Sequence, residues 1–215
     1  MLIQHIGHSE FFLETDTGFR IVTDPFGDDC GYPVPQMRAD TVLVSHGHHD
    51  HNAAGNISGS PAVIDRAGTY IPGPDIRVKA LRGFHDEAHG TQRGETLLFL
   101  IEAEDLRIVH LGDLGCIPDE ETIRILQKPD ILMIPVGGFF TIDGKTARKV
   151  ADRLNARVIL PMHYKTRYNP GWPITGPGPF LEGFAAKDIL TDAEALRVTA
   201  GDISCHPKVV LFKEP

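Results

Sequence analysis

Four imidazoles and a carboxylate follow one short apolar run. After Thr41-Val42-Leu43-Val44 the chain reads Ser45-His46-Gly47-His48-His49-Asp50-His51, and the spacing H-x-H-x-D-H takes one register, His46, His48, Asp50 and His51. Imidazole and carboxylate are the donors that borderline divalent cations such as Zn²⁺ prefer, and a catalytic site needs several of them converging with a coordination position left open. Where a strand ends, residues two apart can point to the same side, so His46 and His48 can share one cation. Asp50 and His51 come next in a turn and can aim at a second point close by. The competing reading is a wet, histidine-rich loop, which needs a chance match at every position directly after a buried-looking strand.

Strands must hold such donors in place, and the pattern supplies them. Leu2–Ile6, Glu10–Glu14 and Phe19–Thr23 read as short strands, the last closed by Asp24-Pro25 because proline cannot continue a ladder. Pro61–Ile64 and Ile76–Leu81 are strand-like, with Ile71-Pro72-Gly73-Pro74 as a turn between them. Thr96–Glu102 and Leu106–His110 make a hairpin through Ala103-Glu104-Asp105, and Ile131–Ile134 and Arg157–Leu160 are further strands. Acidic first turns favour a helix over Pro118–Gln127, and Asp143 can cap a second whose apolar residues Ala147, Val150, Ala151 and Leu154 recur at i, i+3, i+4 and i+7. Phe180–Leu190 reads as a third helix, and Leu196–Thr199 with Lys208–Phe212 as closing strands. Further donors stand just past these runs: His85 (with His89 as its competitor, farther from the strand end), Asp113 and His163.

With these residues in view, the chain resembles the metallo-β-lactamase superfamily, whose signature is the same H-x-H-x-D-H loop. The resemblance implies an α/β fold, a four-layer αββα sandwich, spanning residues 1–215 as one domain. It implies that His46, His48 and His85 hold one metal and Asp50, His51 and His163 the other, with Asp113 bridging the two. Asp24 matches an aspartate that supports the histidine loop by hydrogen bonding, and His8, in a tight Gly-His-Ser corner, is placed to reach substrate or to back up the ligands; packing beneath a turn is the plain alternative. His110 is expected to support the site without binding metal. The cysteine ligand of true metallo-β-lactamases is not matched by Cys116. Pro135–Thr141 resembles a loop of bacterial relatives whose glycines let backbone amides approach an oxyanion, though a simple connection fits equally. In relatives the 27–38 loop overhangs the metals, which would bring Phe26, Tyr32 and Met37 to substrate.

The composition narrows the function. A formal net charge of −8 and the absence of a Lys/Arg run disfavour a nucleic-acid surface, because phosphate contacts supply most of that affinity. No stretch approaches the ~18 apolar residues that cross a bilayer, and the N-terminus lacks a basic segment followed by an apolar one. Cys30, Cys116 and Cys205 form no pairing pattern, which suits a reducing cytoplasm. The Pro/Gly-rich segment 166–180 is read as a substrate lid or an ordered strap, and the neighbouring Lys165 and Arg167 as cations for an anionic substrate group.

The expected activity is metal-dependent hydrolysis by a hydroxide activated at a dinuclear site, since one zinc alone lowers the pKa of water from 15.7 to about 7. Asp50 would orient that nucleophile or take a proton. Two Zn²⁺ ions are expected, with Mn²⁺ or Fe²⁺ as alternatives, and a small-molecule lactone, thioester or phosphoester as substrate. The resemblance is to the small bacterial hydrolases that include ascorbate-6-phosphate lactonase. A homo-oligomer is compatible with the chain. The alternative is an iron-dependent oxygenase or redox member of the superfamily; the flavodiiron version is weakened because His48 stands where that group has glutamate.

Overall fold

The computed structural model describes residues 1–214. Two sheets face each other. The first has six strands in the order β13-β1-β2-β3-β4-β5, formed by β1 (Leu2–Gly7), β2 (Glu10–Glu14), β3 (Arg20–Thr23), β4 (Thr41–Leu43), β5 (Ala62–Ile64) and β13 (Leu196–Arg197). The second has eight in the order β12-β14-β11-β10-β9-β8-β7-β6, from β6 (Gly68–Gly73), β7 (Ile76–Phe84), β8 (Glu95–Ala103), β9 (Leu106–His110), β10 (Ile131–Pro135), β11 (Val158–Met162), β12 (Ile189–Ala193) and β14 (Val209–Phe212).

Alternation along the strands explains the layers. In β8, Leu97, Phe99 and Ile101 face the first sheet, and Leu98 and Leu100 face the other way; in β10, Ile131 and Met133 divide from Leu132 and Ile134 in the same manner. Both faces of these strands are buried, so they read as continuous apolar runs. The core between the sheets also contains Ile3, Phe11, Leu13 and Ile21. Against the outer face of the eight-stranded sheet pack α1 (Glu120–Leu126), α2 (Gly144–Leu154) and the single-turn α3 (Gly178–Leu181). Asp119 and Asp143 cap the first two helices by accepting the amides of Thr122 and Thr146, each at 2.7 Å. Fully buried Ala147, Val150 and Leu154 form the face of α2 laid on the sheet.

The expected sandwich is therefore present, but its fourth layer is thin. Met37, Ala39, Ala54 and Ile57, from loops and one 3₁₀ turn, cover Val22, Val42 and Val44 on the outer face of the six-stranded sheet. The chain between β4 and β5 holds the histidine loop and that 3₁₀ turn, with no α-helix among the described residues there. The expected helix over 180–190 stops after Leu181, because Gly183 turns left-handed at φ 86°, and Ile189 onward joins the sheet as β12. Part of the expected 71–74 turn belongs to β6, an edge strand that tolerates Pro72. Among the described residues no helix is long and apolar enough to cross a membrane.

Strand direction sets the location of the site. β9, β10 and β11 are parallel, and β7 is antiparallel to β8, which is antiparallel to β9. The C-terminal ends of β7, β9 and β11 thus share one edge, and His85, Asp113 and His163 emerge just beyond them.

Candidate metal centre

All seven expected ligands meet at that edge. The donor atoms of His46, His48 and His85 lie within 4.8 Å of one another, as do those of His8, Asp50, His51 and His163, and those of His46, His51 and Asp113. Asp113 is the hub. Its Oδ2 is 3.1 Å from His163 Nε2, 3.3 Å from both His51 Nε2 and His85 Nε2, and 4.0 Å from His46 Nε2. His46 Nε2 and His48 Nδ1 face each other at 3.0 Å. His89 is exposed, with its ring edge-on to Phe84, and does not reach the cluster.

Asp24 holds this geometry from beneath. It is fully buried at φ 41°, and its carboxylate accepts the Ser45 amide at 2.6 Å, the Ser45 hydroxyl at 2.7 Å and His51 Nδ1–H at 3.1 Å. A carboxylate behind a ligand imidazole fixes both its tautomer and its orientation, leaving Nε2 to face the centre. His110, in the core with its ring edge-on to Phe11 and tilted against Phe99, donates Nε2–H to the Ser9 carbonyl and accepts the Gly112 amide at Nδ1. It supports the turn that carries Asp113. His8 Nε2 lies 3.2 Å from Asp50 Oδ2, so this ring steadies Asp50. The backbone at His8 and His163 is also left-handed, at φ 52° in each, and the His163 amide donates to the His8 carbonyl at 2.9 Å, joining the two sheets beside the site.

The donors fit divalent cations. His51 Nε2 and Asp113 Oδ1 are buried without a hydrogen-bond partner, and four imidazole edges converge on a single carboxylate, an arrangement that protein hydrogen bonding leaves unsatisfied. A set rich in imidazole with two carboxylates suits zinc, manganese or iron better than calcium.

Above the cluster opens a cleft of about 560 Å³, with His48, Asp50, Asp113 and His163 on its floor and Phe140 and Trp172 on its wall. Trp172 comes from the 166–180 segment, which is an ordered strap: buried Asn169 accepts the Thr166 amide at 2.7 Å, and the Thr175 amide donates to the Gly137 carbonyl at 2.8 Å. Several expectations change here. Lys165 and Arg167 do not line the cleft; Arg167 pairs with Glu214 at 3.4 Å and lies against Tyr168, while Arg93 is the cation in the lining. Phe26 and Tyr32 are buried around Cys30, and Met37 packs on the outer sheet face, so none of the three reaches the cleft. The amides of Gly137 and Gly138 are taken by the His163 and Ile142 carbonyls, which makes this loop a connection and not an oxyanion site.

The sequence profile described as "Beta-lactamase superfamily domain" matches residues 2–163, which contain every donor above. A metal-dependent hydrolase of Caldivirga maquilingensis is 31% identical over 76% of this chain and 82% of its own. The chain belongs to the metal-dependent hydrolases of the metallo-β-lactamase superfamily. A crystal structure from Thermotoga maritima, named as a candidate zinc-dependent hydrolase of that superfamily, is 36% identical with a TM-score of 0.82, covering 98% of this chain and 97% of its own. A metal-dependent hydrolase of Hyperthermus butylicus is 28% identical over 98% of this chain and 96% of its own.

For this metallo-β-lactamase-fold hydrolase, burial and charge divide the imidazoles into two kinds. Burial pushes His46 down to about 3 and, helped by neighbouring His163, His8 down to about 4. Burial also opposes charge on His51, but the Asp113 and Asp24 carboxylates outweigh it and hold that ring well above its ordinary value. The Asp24 carboxyl is likewise pushed up by burial and drawn down more strongly by His51, ending below the usual range.

The sign of the pH dependence follows. The depressed imidazoles contribute stability that is full above the unfolded value of about 6.5 and lost on acidification; the His51 contribution is full below about 6.5 and lost as pH rises through its raised value. Metal-free protein is therefore expected to be most stable near about pH 6.5. Metal requires the neutral ring, so the gain from metal should widen from about pH 6.5 upward. Thermal unfolding with and without chelator across this range checks it, and a gap that narrows toward alkaline pH contradicts it.

Proposed function

We propose that this hydrolase uses two divalent cations, zinc foremost, to cleave an ester-type bond, a lactone, thioester or phosphoester, in a small molecule. The observation that carries the reading is Asp113 Oδ2 standing among four imidazoles that belong to two donor groups. His46, His48 and His85 would hold one cation and Asp50, His51 and His163 the other, with Asp113 shared. Bound there, the pair would supply a water acidic enough to act as nucleophile near neutral pH and a Lewis acid for developing negative charge. The chain's own groups do the rest. His8 fixes the Asp50 carboxylate at the cleft floor, where it can orient that water or accept its proton. Asp24 keeps His51 turned toward the centre. Phe140 and Trp172 give the cleft an apolar wall, and its volume suits a small molecule.

Protein purified without added metal is expected to carry two zinc ions per chain and to hydrolyse at least one member of a panel of lactones, thioesters and phosphodiesters. His48→Ala should lose the equivalent of one ion and at least about a hundredfold in kcat/KM, since a ligand matters at least as much as the groups behind it. Iron content with oxygen uptake and no hydrolysis would overturn the proposal in favour of oxygenase chemistry.

A further inference from the structure

Among the described residues that line the cleft, Arg93 is the only Lys or Arg. The carboxylates in the same lining are engaged elsewhere, Asp29 near His49, Asp50 with His8 and Asp113 with the imidazoles. Arg93 makes no ion pair among the described residues; its guanidinium stands 5.9 Å from the centre of the Phe140 ring. Half-buried Arg93 also borders a neighbouring hollow lined by Asp86, Glu87 and Asp143 and pairs with none of them, so its donors stay available, and the aromatic face helps to hold it there.

The backbone that presents it is built for the purpose. Buried Asp86, next to His85, accepts four amides: Ala88 at 2.8 Å and Gly90 at 3.0 Å on one oxygen, Gln92 at 3.0 Å and Arg93 at 2.7 Å on the other. That carboxylate closes the 86–93 loop into one shape. Phe140, under the guanidinium, meets Trp172 edge to face at 6.1 Å, and next to it in the chain is Phe139, exposed with a left-handed backbone at φ 61°. Such a conformation is strained for a bulky residue and concentrates at binding sites.

We propose that Arg93, flanked by Phe140 and Trp172, binds an anionic oxygen group, carboxylate or phosphate, on a substrate whose apolar body rests against the two rings. The planar fork of Arg93 can take either group through paired hydrogen bonds. This rests on the hydrolase reading for the word substrate, but the subsite itself can be tested by binding alone.

Trp172 is the sole tryptophan of the sequence and lies on the cleft wall, so its fluorescence reports occupancy. Metal-loaded protein is titrated with phenylacetate, phenyl phosphate and neutral phenylacetamide, in the wild type, Arg93→Gln, Arg93→Lys and the control Arg77→Gln, an exposed position at the opposite end of β7 from His85. In Arg93→Gln the Kd of at least one anion should rise about tenfold or more, as for a lost hydrogen bond to a charged group. Arg93→Lys should lose less, and phenylacetamide and the control should be unchanged; the anion that suffers more identifies the group preferred. Anions that bind Arg93→Gln as tightly as wild type, an equal loss for phenylacetamide, or no anion response in the wild type would each overturn the subsite. Arg93-dependent binding without hydrolysis of any panel compound would sink the hydrolase reading and leave the subsite standing. Hydrolysis of charged and neutral esters that Arg93→Gln leaves untouched would do the reverse.

Discussion

Asp113→Asn is expected to remove bound metal and hydrolysis together. Asparagine preserves the volume at a buried position, so the fold should persist, but it replaces an anion by a neutral amide whose nitrogen donates where an acceptor is required. Four imidazole nitrogens at 3.1–4.0 Å then converge on a group that cannot balance the charge of the two dications proposed above. Metal affinity should fall by more than the roughly 10–100-fold that loss of a supporting partner costs. The kcat/KM value should fall at least about 10³-fold, because groups that act as a unit fail as a unit. Metal content by mass spectrometry and steady-state kinetics on the best panel substrate measure both. A variant that retains the wild-type metal content and works within tenfold of wild type would show that Asp113 is not the hub.

The second large effect is on stability. Asp24→Ala would leave the Ser45 amide, the Ser45 hydroxyl and His51 Nδ1–H buried without their acceptor. Removing one member of a buried charged network typically costs about 3–5 kcal/mol. For a chain of this size that lowers Tm by roughly 10 °C. Metal affinity should drop about 10–100-fold as His51 loses its orientation. Asp24→Asn, which keeps one acceptor oxygen, should fall between the two proteins in both measurements. A Tm within 2 °C of wild type for Asp24→Ala would mean that the loop is held by something other than this carboxylate.

Most of the centre was legible because strand ends dictate it. His46, His48, Asp50 and His51 declare themselves by spacing within one loop, and His85, Asp113 and His163 each stand just after an apolar run that forms a strand. Relative strand direction, which brings those ends to one edge, is a property of the sheet and is invisible in any single segment. The role of His8 stayed open for the same reason: its partner Asp50 is distant along the chain. The substrate side was misread because cation position depends on loop closure. Lys165 and Arg167 are near a ligand in sequence, whereas Arg93 arrives through the four amides gathered by Asp86. The 180–190 segment has apolar spacing that suits a helix, yet left-handed Gly183 ends it and the sheet edge claims Ile189. Local propensity lost to tertiary pairing.

The amide of His163 reaching across to the carbonyl of His8 has an effect on the order of assembly. One of these residues ends a strand of the six-stranded sheet and the other ends a strand of the eight-stranded sheet, as do the donors on either side of them. Neither sheet alone carries a full set of the proposed donors, so ion capture is expected to wait until the halves have docked, and separating them to release what was captured. Occupancy is then a gauge of closure, and a chelator would act on this protein much as a wedge driven into a seam.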